Sequence, residues 1–280
     1  MLPLGVGLAA LGSFCEEASS SIGKREIRLH QESPFTFGLL NATLGVIIGL
    51  IIVLFVRQSF VFSLASVPFV GLRMVLEIFQ AHSTVKAIAI AERSAFGLIR
   101  VLTIPLLLVA DVFFGKELGV AQTVGIAVIT LSLFVFFLNH GLRGRGTRLV
   151  LFTAINAVFT TLLFRMTVTR WNSVEAETVI SGCVIATYFF YQARRKEHRN
   201  PFRHLRKPIV LLQSAAYASS SIVLGFSLLY APASVVMAVK RSSAVMWSVL
   251  SGTALFHERE RFMKWTAAAL VAVGVMLLVF

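Results

Sequence analysis

Apolar segments about 20 residues long recur from one end of this chain to the other. The runs cover residues 2–23, 35–56, 64–85, 93–114, 118–139, 149–169, 173–193, 208–230, 233–256 and 262–280. A helix needs about 20 apolar residues to cross the hydrocarbon core of a bilayer. Barrel strands would be half as long and would alternate in polarity, and these runs do not. Ten such spans use roughly 200 residues and leave about 8 for each connection. The expectation is an all-α integral membrane protein of ten transmembrane helices, with no room for a soluble catalytic domain. The balance of side chains agrees: 57% of the 280 residues are hydrophobic and 14% charged, against about 25% charged in a soluble domain. Because the apolar runs continue to Phe280, a secreted protein behind a signal peptide is not expected.

The formal charge is +13. In a soluble chain that excess would suggest nucleic acid. Between spans, basic loops instead set topology and meet anionic lipid, so membrane lipid is expected as a partner and nucleic acid is not. Cys15 and Cys183 lie inside apolar runs and form no disulfide framework or metal-ligand spacing. There is no phosphate-binding loop and no nucleophile constellation. His257-Glu258-Arg259-Glu260-Arg261 lacks the second His of a zinc helix. No cofactor, metal or catalytic residue is expected. Asn41-Ala42-Thr43 matches a glycosylation sequon but lies within a span, which discards it.

The chain carries a faint internal repeat. Advancing by 141 residues brings 64–139 onto 205–280, with Arg100 on Arg241 and Glu117 on Glu258. Two five-helix halves follow, residues 1–139 and 149–280, joined by a basic linker at 140–148. An odd number of spans makes the second half enter the membrane from the opposite side, giving an inverted repeat.

Ionisable groups inside a span cost about 2.5–3.5 kcal/mol or more each on insertion scales, so each needs a reason. Arg73 and Glu77 are spaced i,i+4 and can pair with one another. Glu16 lies eight residues before Lys24, about 12 Å deep at 1.5 Å per residue. Glu17 points about 100° away from it, so the two do not face one cavity. Arg100 is central in the fourth run. Lys240 and Arg241 are adjacent cations in the ninth run with no acid within a turn. They call for acids from other helices, Glu16 and Glu77, or for an anionic ligand. Candidate substrate-binding residues are therefore Lys240, Arg241, Arg100, Glu77, Arg73 and Tyr217. Glu16 is the candidate proton-coupling site, because a carboxylate in a low dielectric can take up a proton near neutrality. Glu117, Glu258 and Asp111 read as charges at helix ends. Gly5, Gly7, Gly12 and Ser214–Ser221 read as small-residue packing surfaces. Trp171 and Trp265 read as interface anchors.

The layout resembles the EamA-type branch of the drug/metabolite transporter superfamily across the whole chain. The resemblance is carried by the Ala231-Pro232 helix start, by Val239-Lys240-Arg241-Ser242-Ser243, and by Leu255-Phe256-His257-Glu258 before a small-residue helix ending in Val273-Gly274-Val275. In the first half it rests on Arg100, Pro105 and Gly115-Lys116-Glu117. It implies ten helices in two inverted repeats around a central cavity, and alternating-access transport of a small metabolite. Phosphate-sugar exchangers of the superfamily hold their anion on a Lys-Arg pair at the corresponding helix. Small multidrug-resistance transporters, a shorter branch, carry a Glu eight residues before a Lys, as Glu16 and Lys24 do here.

The expected function is secondary transport in the plasma or bacterial inner membrane, by a monomer or homodimer. The alternative is a membrane-embedded lipid-modifying enzyme or a lipid flippase subunit. Basic loop residues, Arg93 among them, concentrate after odd-numbered spans, with only Arg57, Lys116, Arg165 and Arg170 after even ones. The positive-inside rule then puts both termini outside, whereas the resemblance implies both inside.

Overall fold

The computed structural model describes residues 2–29, 33–57, 60–113, 120–121, 124–125, 127–132, 146–197, 201–231, 233–256 and 261–279. Every regular element among them is helical. We number ten helices: α1 Leu2–Arg28, α2 Pro34–Ile51, α3 Val67–Ile90, α4 Arg93–Arg100, α5 Thr103–Phe113, α6 Thr147–Arg170, α7 Val174–Glu197, α8 Pro208–Tyr230, α9 Ala233–Ala254 and α10 Arg261–Val279. Five segments are long and apolar enough to cross a membrane by length and composition: Pro34–Phe55, Leu64–Ile90, Arg93–Ala110, Thr147–Arg170 and Pro208–Tyr230. Most of the expected fifth span, together with Glu117, Glu258 and most of the linker, lies outside the described residues, as does the side chain of Asp111.

Local chemistry explains where the helices begin and break. Ser33 caps α2 by accepting the Thr36 N–H at 3.1 Å, and Pro34 supplies a first residue with no N–H to satisfy. Lys24 donates to the carbonyl of Ala91, just past the end of α3. This satisfies a carbonyl that the helix leaves open. Gly146 precedes α6 at φ 80°. A Cβ there would meet Ile90 and Ala91 within 3.1 Å, so this position needs glycine for both its backbone angle and its neighbours.

The fourth apolar run is not one rod, as its sequence suggested. It divides at Val101 and Leu102 into α4 and α5. Pro105 has no N–H to offer the carbonyl of Val101, and Ile104 N–H takes that carbonyl instead at 2.8 Å, in a tighter turn. Thr103 Oγ1 donates to the Arg100 carbonyl at 2.7 Å. Arg100 thus ends a half-helix in mid-run.

The bundle is turned inside out relative to a soluble protein. Leu212 is 60% exposed and Phe79 58%, while Arg73, Arg93, Arg241 and Glu177 are buried. Water would penalise that apolar exterior over so large an area, whereas hydrocarbon would not. Inside, α1 packs on α8 and α9, α2 on α7 and α8, α3 on α6 and α7, and α4 on α9 and α6. Small residues set the closest crossings. A Cβ on Gly97 of α4 would stand 2.0 Å from Ser248 Oγ of α9, and one on Gly12 of α1 would stand 2.7 Å from Leu224 of α8. Gly5 also lies in such a contact. Gly7 does not: it faces open space.

Candidate functional site

A cavity of about 330 Å³ lies among the helices. Its size is at the low end of the range of about 300–1,000 Å³ typical of ligand sites. All seven residues singled out in the sequence line it: Glu16, Arg73, Glu77, Arg100, Tyr217, Lys240 and Arg241. They come from α1, α3, α4, α8 and α9, so a 280-residue chain converges its mid-span charges on one space. α6 also contributes, through Ala157 and Thr160. No charge in the apolar runs pointed to α2 or α7 as part of the wall, yet Asn41 and Gly45 of α2 and Thr178 and Ser181 of α7 belong to it.

One side of the cavity is cationic. Glu16 Oε2 lies 2.7 Å from Lys240 Nζ, and its Oε1 lies 3.3 Å from Arg100 Nη1. Ser13 Oγ donates to the Lys240 carbonyl at 2.8 Å, which ties α1 to α9 at this level. Arg100 also lies over the Phe96 ring, 5.0 Å from its centroid, a favourable placement for a guanidinium. Arg241 is the exception. It is 2% exposed, and its side chain makes no ion pair or hydrogen bond with any described residue. Its Nε and that of Arg100 are buried donors without acceptors. Such a group costs about 1–3 kcal/mol, more when charged.

The opposite balance holds at α3 and α7. Arg73 Nε donates to Glu77 Oε1 at 2.7 Å, as the i,i+4 spacing predicted, and Arg73 Nη1 also pairs with Glu177. Its guanidinium stands 4.5 Å over the Phe164 ring. Glu177 is fully buried and accepts from Asn172 Nδ2 at 2.6 Å. Glu77 is more open, at 19% exposure, and its Oε2 has no hydrogen-bond partner among the described residues. Asn41 Oδ1 is another buried acceptor left unpaired. Tyr217 lines the same cavity, and its hydroxyl makes no hydrogen bond with a described residue.

No family model matches this chain. No curated protein matches its sequence. The site is therefore interpreted from its own chemistry.

Glu77 had been one of two acids expected to neutralise Lys240 and Arg241. Only Glu16 takes that role, for Lys240, and Glu77 is held by Arg73. Glu17 turns away from Glu16, as their 100° separation requires, and pairs with buried Arg93. Arg93 had read as a loop cation, but it is the first residue of α4 and is buried. Glu177, Arg93 and Asn41 are the polar residues that sequence reasoning missed. Glu177 and Arg93 stand near the ends of apolar runs, where charges are ordinary. Asn41 had been considered only as a sequon. The signal that could have found it is its place in an otherwise apolar α2.

Proposed function

We propose that this chain is a secondary active transporter of a small metabolite bearing an anionic group, built from ten spans in two inverted five-helix repeats. The observation that carries this reading is Arg241, a buried guanidinium without an ion-pair or hydrogen-bond partner among the described residues, lining a cavity of metabolite size. A permanently charged group has no reason to be left there unless something of opposite charge arrives.

The packing supports the repeat. Advancing each helix by five spans turns the α1–α8 pair into α6–α3, α1–α9 into α6–α4, and α2–α8 into α7–α3. It maps α2–α7 and α4–α9 onto themselves. Every one of these pairs is in contact. The repeat mates Arg100 and Arg241 both enter the cavity, one from each half. A pseudo-two-fold axis between α2–α7 and α4–α9 accounts for all of this, and it is the arrangement in which two halves rock about a central site. The resemblance to EamA-type drug/metabolite transporters points the same way, and with it a multi-pass location in a cell membrane. On this reading Glu16 is the coupling residue. An arriving anion competes with its carboxylate for Lys240 and Arg100, and a displaced carboxylate at that depth takes up a proton.

The test is reconstitution. Liposomes containing only this protein accumulate a small metabolite bearing a carboxylate or phosphate saturably, and Arg241→Gln abolishes accumulation while leaving the protein folded. A single cysteine at Ser221 or Thr161, both on the cavity wall, reacts from one side of the membrane at a time. Reaction from both sides at once means a channel. Lipid scrambling or lipid modification without solute uptake means the flippase or enzyme reading is correct.

A further inference from the structure

The cavity charges do not cancel locally. Where α1, α4 and α9 meet, three cations (Lys240, Arg100 and Arg241) line the cavity with Glu16, which pairs with the first two, while the neighbouring Glu17 is held by its own cation, Arg93. Where α3 and α7 meet, one cation, Arg73, holds two acids, Glu77 and Glu177. The first group carries two excess positive charges and the second one excess negative charge. At this depth neither excess is screened as it would be in water. The unpaired hydrogen-bonding atoms divide in the same way. Arg241 Nε and Arg100 Nε are donors without acceptors on the cationic side. Glu77 Oε2 is an acceptor without a donor on the acidic side. Asn41 of α2 also lines the cavity, and its Oδ1 is a buried acceptor left unpaired.

A simple anion would satisfy the first group and leave Glu77 and Asn41 unpaired. A simple cation would be drawn to Glu77 but would meet three like charges across a small space. We infer that the ligand of this cavity is dipolar, with an anionic group held by Arg241 and Arg100 and a protonated amine held by Glu77. Tyr217, which lines the same cavity, meets the molecule as donor or acceptor. Glu177 does not line the cavity. It fixes Arg73 and so leaves one Glu77 oxygen for the ligand, which makes Glu177 a positioning residue. The volume of about 330 Å³ is at the low end for ligand sites and suits a compact metabolite. The inference names the solute's class within the transporter reading and rests on that reading for its directionality, though not for binding.

The experiment uses the full chain purified in detergent. Ligands are matched sets on one carbon skeleton: glycine, 4-aminobutyrate and 6-aminohexanoate, each beside the carboxylate and the amine that lack the other group. Phosphoethanolamine beside inorganic phosphate tests a phosphate as the anionic group. Binding is measured by thermal shift and calorimetry. We expect one dipolar compound to bind at least tenfold more tightly than either of its matches. Glu77→Gln then weakens the dipolar ligand at least tenfold and leaves its carboxylate match within twofold. Arg241→Gln has the converse effect, sparing the amine match. The inference is overturned if the anion alone binds as tightly as its dipolar match, if Glu77→Gln leaves that ratio unchanged, or if no dipolar compound binds. The wild-type series decides the question even if a variant fails to fold. Liposome uptake separates the two readings. Uptake of the simple anion alone leaves a transporter without a dipolar site. Tight dipolar binding without uptake leaves the site and ends the transport reading.

Discussion

Replacing Glu16 with Gln removes the carboxylate that Lys240 and Arg100 share and leaves three cations around one space. The two contacts are 2.7 and 3.3 Å long, and the side chains involved are 9–16% exposed. Breaking a buried ion pair by removing one partner costs about 3–5 kcal/mol. The residual exposure puts this case at the lower end, about 3 kcal/mol. At roughly 2–4 °C per kcal/mol for a domain approaching this size, the melting temperature should fall by about 6–12 °C. A small anion should then restore much of the loss, because it occupies the place of the missing carboxylate. At 100 times its dissociation constant a ligand stabilises by about 2.7 kcal/mol, nearly the whole deficit. The assay is tryptophan fluorescence during heating in detergent, with formate replacing gluconate at constant ionic strength. Formate should raise the melting temperature of Glu16→Gln by several degrees more than that of the wild type. The reasoning fails if the variant melts within about 2 °C of the wild type, or if formate raises both equally.

Gly97→Ala should cost about 1–3 kcal/mol by forcing α4 from α9, and Ser248→Ala in the same chain should recover part of it. Gly7→Ala, which meets nothing within 4 Å, should be near neutral in the same melt. Lys24→Met removes the donor to the Ala91 carbonyl and the cation 5.1 Å over the Phe256 ring. It should speed labelling of a cavity cysteine from the end of the bundle where α1 finishes, and an unchanged rate would show that this tie does not close the cavity. Asn172→Ala strips partners from the Ser63 N–H, Ser66 Oγ and Glu177, at about 1–3 kcal/mol for each buried group left unsatisfied. Hydrogen exchange at 63–67 should rise several-fold, while exchange in α8 stays unchanged.

The cavity was legible because hydrocarbon makes charges conspicuous. Arg73, Glu77, Arg100, Lys240 and Arg241 each interrupt an apolar run, and the cost of that interruption is what marks them. Pairing was legible only where it was local. The Arg73–Glu77 pair follows from a four-residue spacing, but Arg73–Glu177 spans 104 positions and Lys240–Glu16 spans 224. Nothing in a single sequence fixes such separations. The break at Val101–Leu102 was signalled by Pro105, four residues on from Val101, but a proline within an apolar span bends as often as it breaks. Asn41 was hidden for a different reason: one neutral amide in an apolar helix costs little enough to pass as packing.

The separation of Glu16 from its partners also bears on how the protein is made. Glu16 is made with the first helix, its partner Arg100 is synthesised 84 residues later and Lys240 224 residues later. At about 5–20 residues per second, Lys240 follows Glu16 by roughly 11–45 s. For most of that interval the main neighbour of α1, α8 at Pro208–Tyr230, has not yet been made. The early helices must therefore be sheltered by the insertion machinery or stay loosely associated, with Glu16 protonated or turned toward water. The Lys240–Glu16 pair is thus among the last contacts to form, and a ribosome stalled before residue 240 would display Glu16 with Arg100 alone of its two cationic partners.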